Sequence, residues 1–266
     1  MRLRQFFFIM VSLTFVNHGL TQNGKDSIRP VQNIEISENL IYVYQKPKFF
    51  DMLKYIPRDI VDFGEFAIQK ENLKWSGSAV AATALIIPYD QQLLDESIKF
   101  GAKFNFDAKH SYSNIGPFRV IPNDINSAVY YIGNGGTTIL LSGIFYAYGA
   151  LGKDFRALNT SSELVEVLLS MGILTQTIKR ITGRQSPEPA IQSGNPGGHW
   201  TPFPSINAYQ TRTPNYDAMP SGHLATFMAT ITVIATNYPE IKWIKPVGYS
   251  LMGIMAFEMM SSKVHW

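Results

Sequence analysis

Apolar residues are scattered through positions 23–74 and gather into longer runs from Trp75 onward, so the chain reads as a polar preface followed by helices. The preface mixes charges with Pro30, Pro47 and Pro57. It predicts an N-terminal arm over residues 23–74 with one short amphipathic piece around 60–71. Beyond it, a helix is expected over 78–87, ended by Pro88, because the residue before a proline is pushed out of the α region. Another is expected over 91–100, with Asp90 as its N-cap. Residues 101–128 carry Pro117 and Pro122 and read as a long loop, whose tail at 124–132 begins a further helix.

An apolar segment at 137–148 follows, with Gly143 inside it. The best helical pattern lies at 162–181, where Leu164, Val167, Leu168, Met171 and Leu174 share a face. Thr160-Ser161-Ser162-Glu163 has the form of a capping box, and Gly183 lies just past the end. Residues 185–219 form a loop rich in Pro, Gly and aromatics, longer than compact domains usually tolerate without a purpose. Two more helices are expected, at 221–236 and 246–262.

The first residues change the domain count. Arg2 and Arg4 precede an apolar run at 6–16 and a polar stretch at 17–22, the layout of a secretory signal peptide over residues 1–22. The run is too short to span a bilayer. Removing two arginines from a formal charge of +3 leaves +1. A nearly neutral mature chain excludes the concentrated basic face that nucleic-acid binding needs. The expected location is outside the cytoplasm, in the periplasm or cell envelope. Later apolar runs are about 10–15 residues long, short of the ~20 a span requires, and mean hydropathy is −0.02. A water-soluble or peripherally membrane-attached bundle is therefore expected over an integral membrane protein. The chain has no cysteine, so core packing holds the fold and thiolate chemistry is excluded. None of the five histidines forms an i,i+4 pair, so no metal site is expected.

The chemistry lies in Pro220-Ser221-Gly222-His223. A helix start presents unpaired amides and the positive end of the helix dipole, and Gly222 allows an anion to approach the backbone. Ser221 suits an N-cap and can also donate its hydroxyl hydrogen to a ligand. His223 adds a group that titrates near neutral pH. Upstream stands Lys179-Arg180-Ile181-Thr182-Gly183-Arg184-Gln185-Ser186-Pro187, and downstream His265. Lys179 also suits a helix C-terminus as a plain cation. Asp217 either tunes His223 or forms a turn, and His199 and Trp200 either line an opening or pack the loop. His110 has no evident partner.

In order, these three elements resemble the type 2 phosphatidate phosphatase and vanadium haloperoxidase superfamily, which includes the bacterial class A acid phosphatases. The family pattern is Lys, six residues, Arg-Pro; then Pro-Ser-Gly-His; then Ser-Arg, five residues, His, three residues, Asp. Lys179, Pro187, residues 220–223 and His265 match at these spacings. The resemblance covers residues 75–266 and implies an all-α helical bundle. It further implies a phosphatase acting on a phosphorylated small molecule or lipid phosphate, with His265 as nucleophile and His223 as acid. Lys179, Arg184, Ser221 and Gly222 would hold the phosphate. The implied chemistry needs no cofactor, with vanadate acting as a phosphate mimic. A vanadate-dependent haloperoxidase and an inactive envelope protein are the other readings. Ser186 and Met259 stand where the family has arginines, so two planar oxyanion donors are lost. The chain stops at Trp266, before the aspartate that would orient His265, so a C-terminally incomplete domain is expected.

Overall fold

In the computed structural model, which describes residues 29–266, the chain opens with an antiparallel hairpin of β1 (Val31–Ser37) and β2 (Leu40–Gln45). Three helices follow, α1 (Asp51–Lys54), α2 (Ile56–Ile68) and α3 (Lys70–Ile86), and then α4 (Asp90–Gly101). A second hairpin, β3 (Tyr112–Ile115) with β4 (Phe118–Pro122), leads into α5 (Ile125–Ile132), α6 (Gly135–Gly152) and α7 (Phe155–Thr182). Two short helices, α8 (Pro187–Gln192) and α9 (Ile206–Thr211), precede α10 (Gly222–Asn237) and α11 (Ile244–Ser261). The fold is mostly helical with two small sheets. The signal segment expected over 1–22 lies outside the described residues.

Several elements begin or end away from their expected positions. α7 starts seven residues before the expected 162, because Asp154 accepts a hydrogen bond from Ala157 N at 3.0 Å and caps the helix there. Thr160 is then interior, and its hydroxyl turns back to Arg156 O. The capping box is therefore not used. Asp90 likewise caps nothing; it opens α4 as a helical residue, and its carboxylate pairs with Arg184. The expected 101–128 loop contains β3 and β4, and the 185–219 loop contains α8 and α9.

α7, about 42 Å long at 1.5 Å per residue, is the spine against which α6 and α10 pack. Small hydroxyl residues let these helices approach and pair across the contact. Thr138 of α6 meets Thr230 of α10 at 2.9 Å, and Ser142 donates to Ser161 O of α7 at 2.9 Å. α11 lies against α10, α4 and α5. A side chain at Gly248 would meet Ile231 at 2.7 Å, so glycine sets the closeness of α10 and α11. Between them Phe227, Ile231, Met255 and Met259 form the core, with Val129, Ile132 and Val264 packed around it. Each such side chain stabilises the fold by about 1.5–3 kcal/mol. This core sits directly beneath the start of α10.

Candidate active site

Ser221 takes extended backbone (φ −70°, ψ 117°), and its Oγ accepts from Leu224 N at 3.4 Å, which makes it the N-cap of α10. That leaves the first amides of the helix without intrahelical partners. The nearest foreign atom to a side chain built at Gly222 would be Lys179 Nζ, at 3.9 Å. The ammonium thus lies over the helix start. It is held there because α7 stops one turn later at Gly183, whose left-handed backbone (φ 56°) sends its N–H to Lys179 O at 2.7 Å. A Cβ at position 183 would stand 1.8 Å from Thr201 O, so only glycine fits. Thr182 Oγ1 donates to Met219 O at 2.6 Å and ties this helix end to the segment leading into α10.

His265 arrives from the other side. After α11 ends, the chain folds back, with Val264 N and His265 N both donating to Met259 O. The buried His265 imidazole places Nδ1 2.8 Å from Ala218 O. A carbonyl only accepts, so Nδ1 carries the hydrogen and the neutral ring presents Nε2 as a free lone pair.

Lys179, His223 and His265 line one cavity of about 340 Å³, together with Tyr130, Asp217 and Lys263. The two imidazole centroids are 6.3 Å apart, with planes at 69°. Burial lowers the pKa of His223 to about 4, helped by His265, Lys179 and His110 and opposed by Asp217. Burial also takes His265 down to about 4, with Lys179 adding to the effect and the Ala218 bond opposing it. Both rings are neutral at pH 7. Lys179 Nζ is 3.5 Å from Asp217 Oδ2, and Ser186 Oγ donates to Asp217 Oδ1 at 3.3 Å. The arrangement can accept an anion whose charge returns a proton to an imidazole.

Arg184 and Ser221 line an adjoining cavity of about 290 Å³ that shares His265. Arg184 is buried, pairs with Asp90 and donates to Gly197 O at 3.2 Å. Trp200 and Trp266 lie 4.8 and 5.0 Å from its guanidinium carbon. It lines a different cavity from Lys179, and its buried Nε has no hydrogen-bond partner. Met259, at one family arginine position, is a core residue. Ser186, at the other, faces the cavity. His199 is exposed.

Five groups at or near the cavity had little or no sequence signal. Asp217 was ambiguous between turn and tuning residue. The Ala218 carbonyl has none, because any residue supplies one. Tyr130 is indistinguishable in pattern from its apolar neighbours. His110 and Glu258 are 148 positions apart, yet His110 Nε2 lies 2.9 Å from Glu258 Oε1. No family model, curated protein or solved structure matches this chain.

Proposed function

We propose that this cavity is a phosphoryl-transfer site and that the protein is a phosphatase of the type 2 phosphatidate phosphatase and haloperoxidase kind. The helical bundle is then read as that superfamily's fold, and the place of action as the cell envelope. One observation carries the reading: Lys179, His223 and His265 come from three distant segments and meet at the start of a helix.

Phosphoryl transfer needs positioning and charge stabilisation more than covalent help. The α10 amides and Lys179 hold the phosphoryl oxygens. His265 Nε2, free because Nδ1 is tied to Ala218 O, attacks phosphorus as the bond to the alcohol oxygen breaks. That backbone carbonyl does for the tautomer what an orienting carboxylate does in other catalytic histidines. His223, protonated once the phosphate is bound, gives its proton to the departing oxygen. In the second half-reaction water attacks phosphorus, His223 takes its proton, and the N–P bond breaks to release phosphate and restore both rings.

Purified protein is expected to hydrolyse p-nitrophenyl phosphate with EDTA present, to form an acid-labile phosphoprotein, and to be inhibited by vanadate. His223→Ala is expected to lose activity by a factor on the order of 10³. An unchanged rate in that variant would sink the assignment.

A further inference from the structure

Glu258 has no exposed surface, yet only one of its carboxyl oxygens has a partner, His110 Nε2 at 2.9 Å. Its Oε2 has no hydrogen-bond partner. A buried ionisable pair is weak ground for stability, since apolar side chains of similar volume often serve as well or better. The core beside Glu258 is otherwise built of Met255, Met259, Phe227 and Ile231, so an apolar residue here would fit its surroundings.

The pair leads to the site through rings in contact. His110 stacks on Tyr130 with centroids 4.1 Å apart and planes at 29°. Tyr130 in turn packs on His223 at 4.7 Å and 51°. Tyr130 belongs to α5, which rides on α11, and it lines the cavity. At the end of the same helix a side chain on Gly133 would stand 2.9 Å from His223 Cβ, so α5 approaches His223 as closely as backbone allows. Burial first, then Glu258 and Asp217, raise the pKa of the Tyr130 hydroxyl, keeping that wall of the cavity uncharged.

We propose that Glu258 and His110 are positioning residues for the acid half of the site: their bond fixes the His110 ring, which clamps Tyr130 and so holds His223 on the side where the leaving group departs. The proposal rests on the phosphoryl-transfer reading for its kinetic consequence, though not for its structural one.

The test uses full-length protein with ¹³C-labelled histidine, following the His223 Cε1–H resonance together with kcat and KM for p-nitrophenyl phosphate. The double variant His110→Phe/Glu258→Leu keeps a stacked ring and fills the core without the bond. It is expected to melt no lower than the natural protein, to displace the His223 resonance, and to lose about tenfold or more in kcat with KM within about threefold. In a Tyr130→Leu background the same double change should displace the resonance no further. A wild-type resonance and kcat in the double variant would overturn the proposal. If the double variant does not fold, Glu258→Gln decides: a displaced resonance at near-normal melting supports positioning, and an undisplaced one overturns it. If the natural protein hydrolyses nothing, the phosphatase reading alone fails, and the resonance still decides whether the clamp exists.

Discussion

α3 and α11 are helices of 17 and 18 residues that both carry large apolar side chains, and they meet opposite fates. α3 buries no residue: Val80 is 71% exposed, and the helix packs chiefly on α2. α11 buries Gly248, Met255, Glu258, Met259 and Ser261, with α10, α4 and α5 around it. α11 is the more apolar of the two and also has neighbours on several sides, whereas side chains as large as Trp75 and Leu85 stay exposed on α3, where little covers them. The polar side chains buried on α11 find partners, save Glu258 Oε2. Ser261 is buried, and its one hydroxyl hydrogen is shared between Ser97 O and Phe257 O, each 2.9 Å from Oγ. Satisfied polar groups in a packed region are held in one arrangement, which is what a two-histidine site requires.

The sharpest way to break the comparison is to truncate one apolar side chain in each helix. Met255→Ala is expected to cost about 3 kcal/mol, because its neighbours in the core cannot close the space. Leu85→Ala, at 73% exposure, is expected to stay within about 0.5 kcal/mol. Denaturant unfolding of the two variants checks this, and equal losses would mean that α3 is covered by something in solution.

A graded effect follows from the two histidines. Both have folded pKa values near 4, below the usual 6.5. Between those pH values the unfolded chain binds more protons, so stability falls as pH drops from about 6.5 to 4. His265→Asn is expected to flatten this slope, measured by urea unfolding at a series of pH values. The same depression makes phosphate binding take up protons near pH 6, because the bound anion raises the imidazole pKa. Calorimetry in buffers of different ionisation enthalpy would detect the uptake.

The sequence carried the helix-rich architecture well, because helical spacing and caps are local signals. Ser221 caps α10, as its place before the apolar run predicts, and α10 and α11 lie within two residues of their expected ends. Failures came where a rival cap or a tertiary partner overrode a local signal. Thr160 and Glu163 form a plausible capping box, but Asp154 starts the helix earlier and Glu163 bonds Asn237. Asp90 looks like a cap and is a partner for Arg184. In the candidate site, Lys179, Gly222, His223 and His265 were readable from spacing. The Ala218 carbonyl and the Glu258 partner of His110 were not, since neither backbone direction nor contact across 148 positions leaves a local pattern.

The smallest expected effect lies where α2 meets α7. Glu166 on α7 has its pKa raised to about 7, by burial first and then by Asp59 and Glu163. Asp59 belongs to α2 and accepts a hydrogen bond from Ser170 Oγ of α7 at 2.7 Å, so the carboxyl groups of α2 and α7 crowd one another. A folded pKa above the unfolded 4.5 means that the native state binds the extra proton. Stability from this group is present below about pH 4.5 and lost as pH rises through 7. Glu166 is only about half buried, so solvent screening cuts the effect to about 1 kcal/mol. Glu166→Gln is therefore expected to stabilise the protein by about that much at pH 8 and by almost nothing at pH 4. Hydrogen exchange should place the gain in α2 rather than α11. A gain spread evenly over both helices would mean that α2 and the core unfold as one unit, and the contrast between α3 and α11 would then be one of exposure alone.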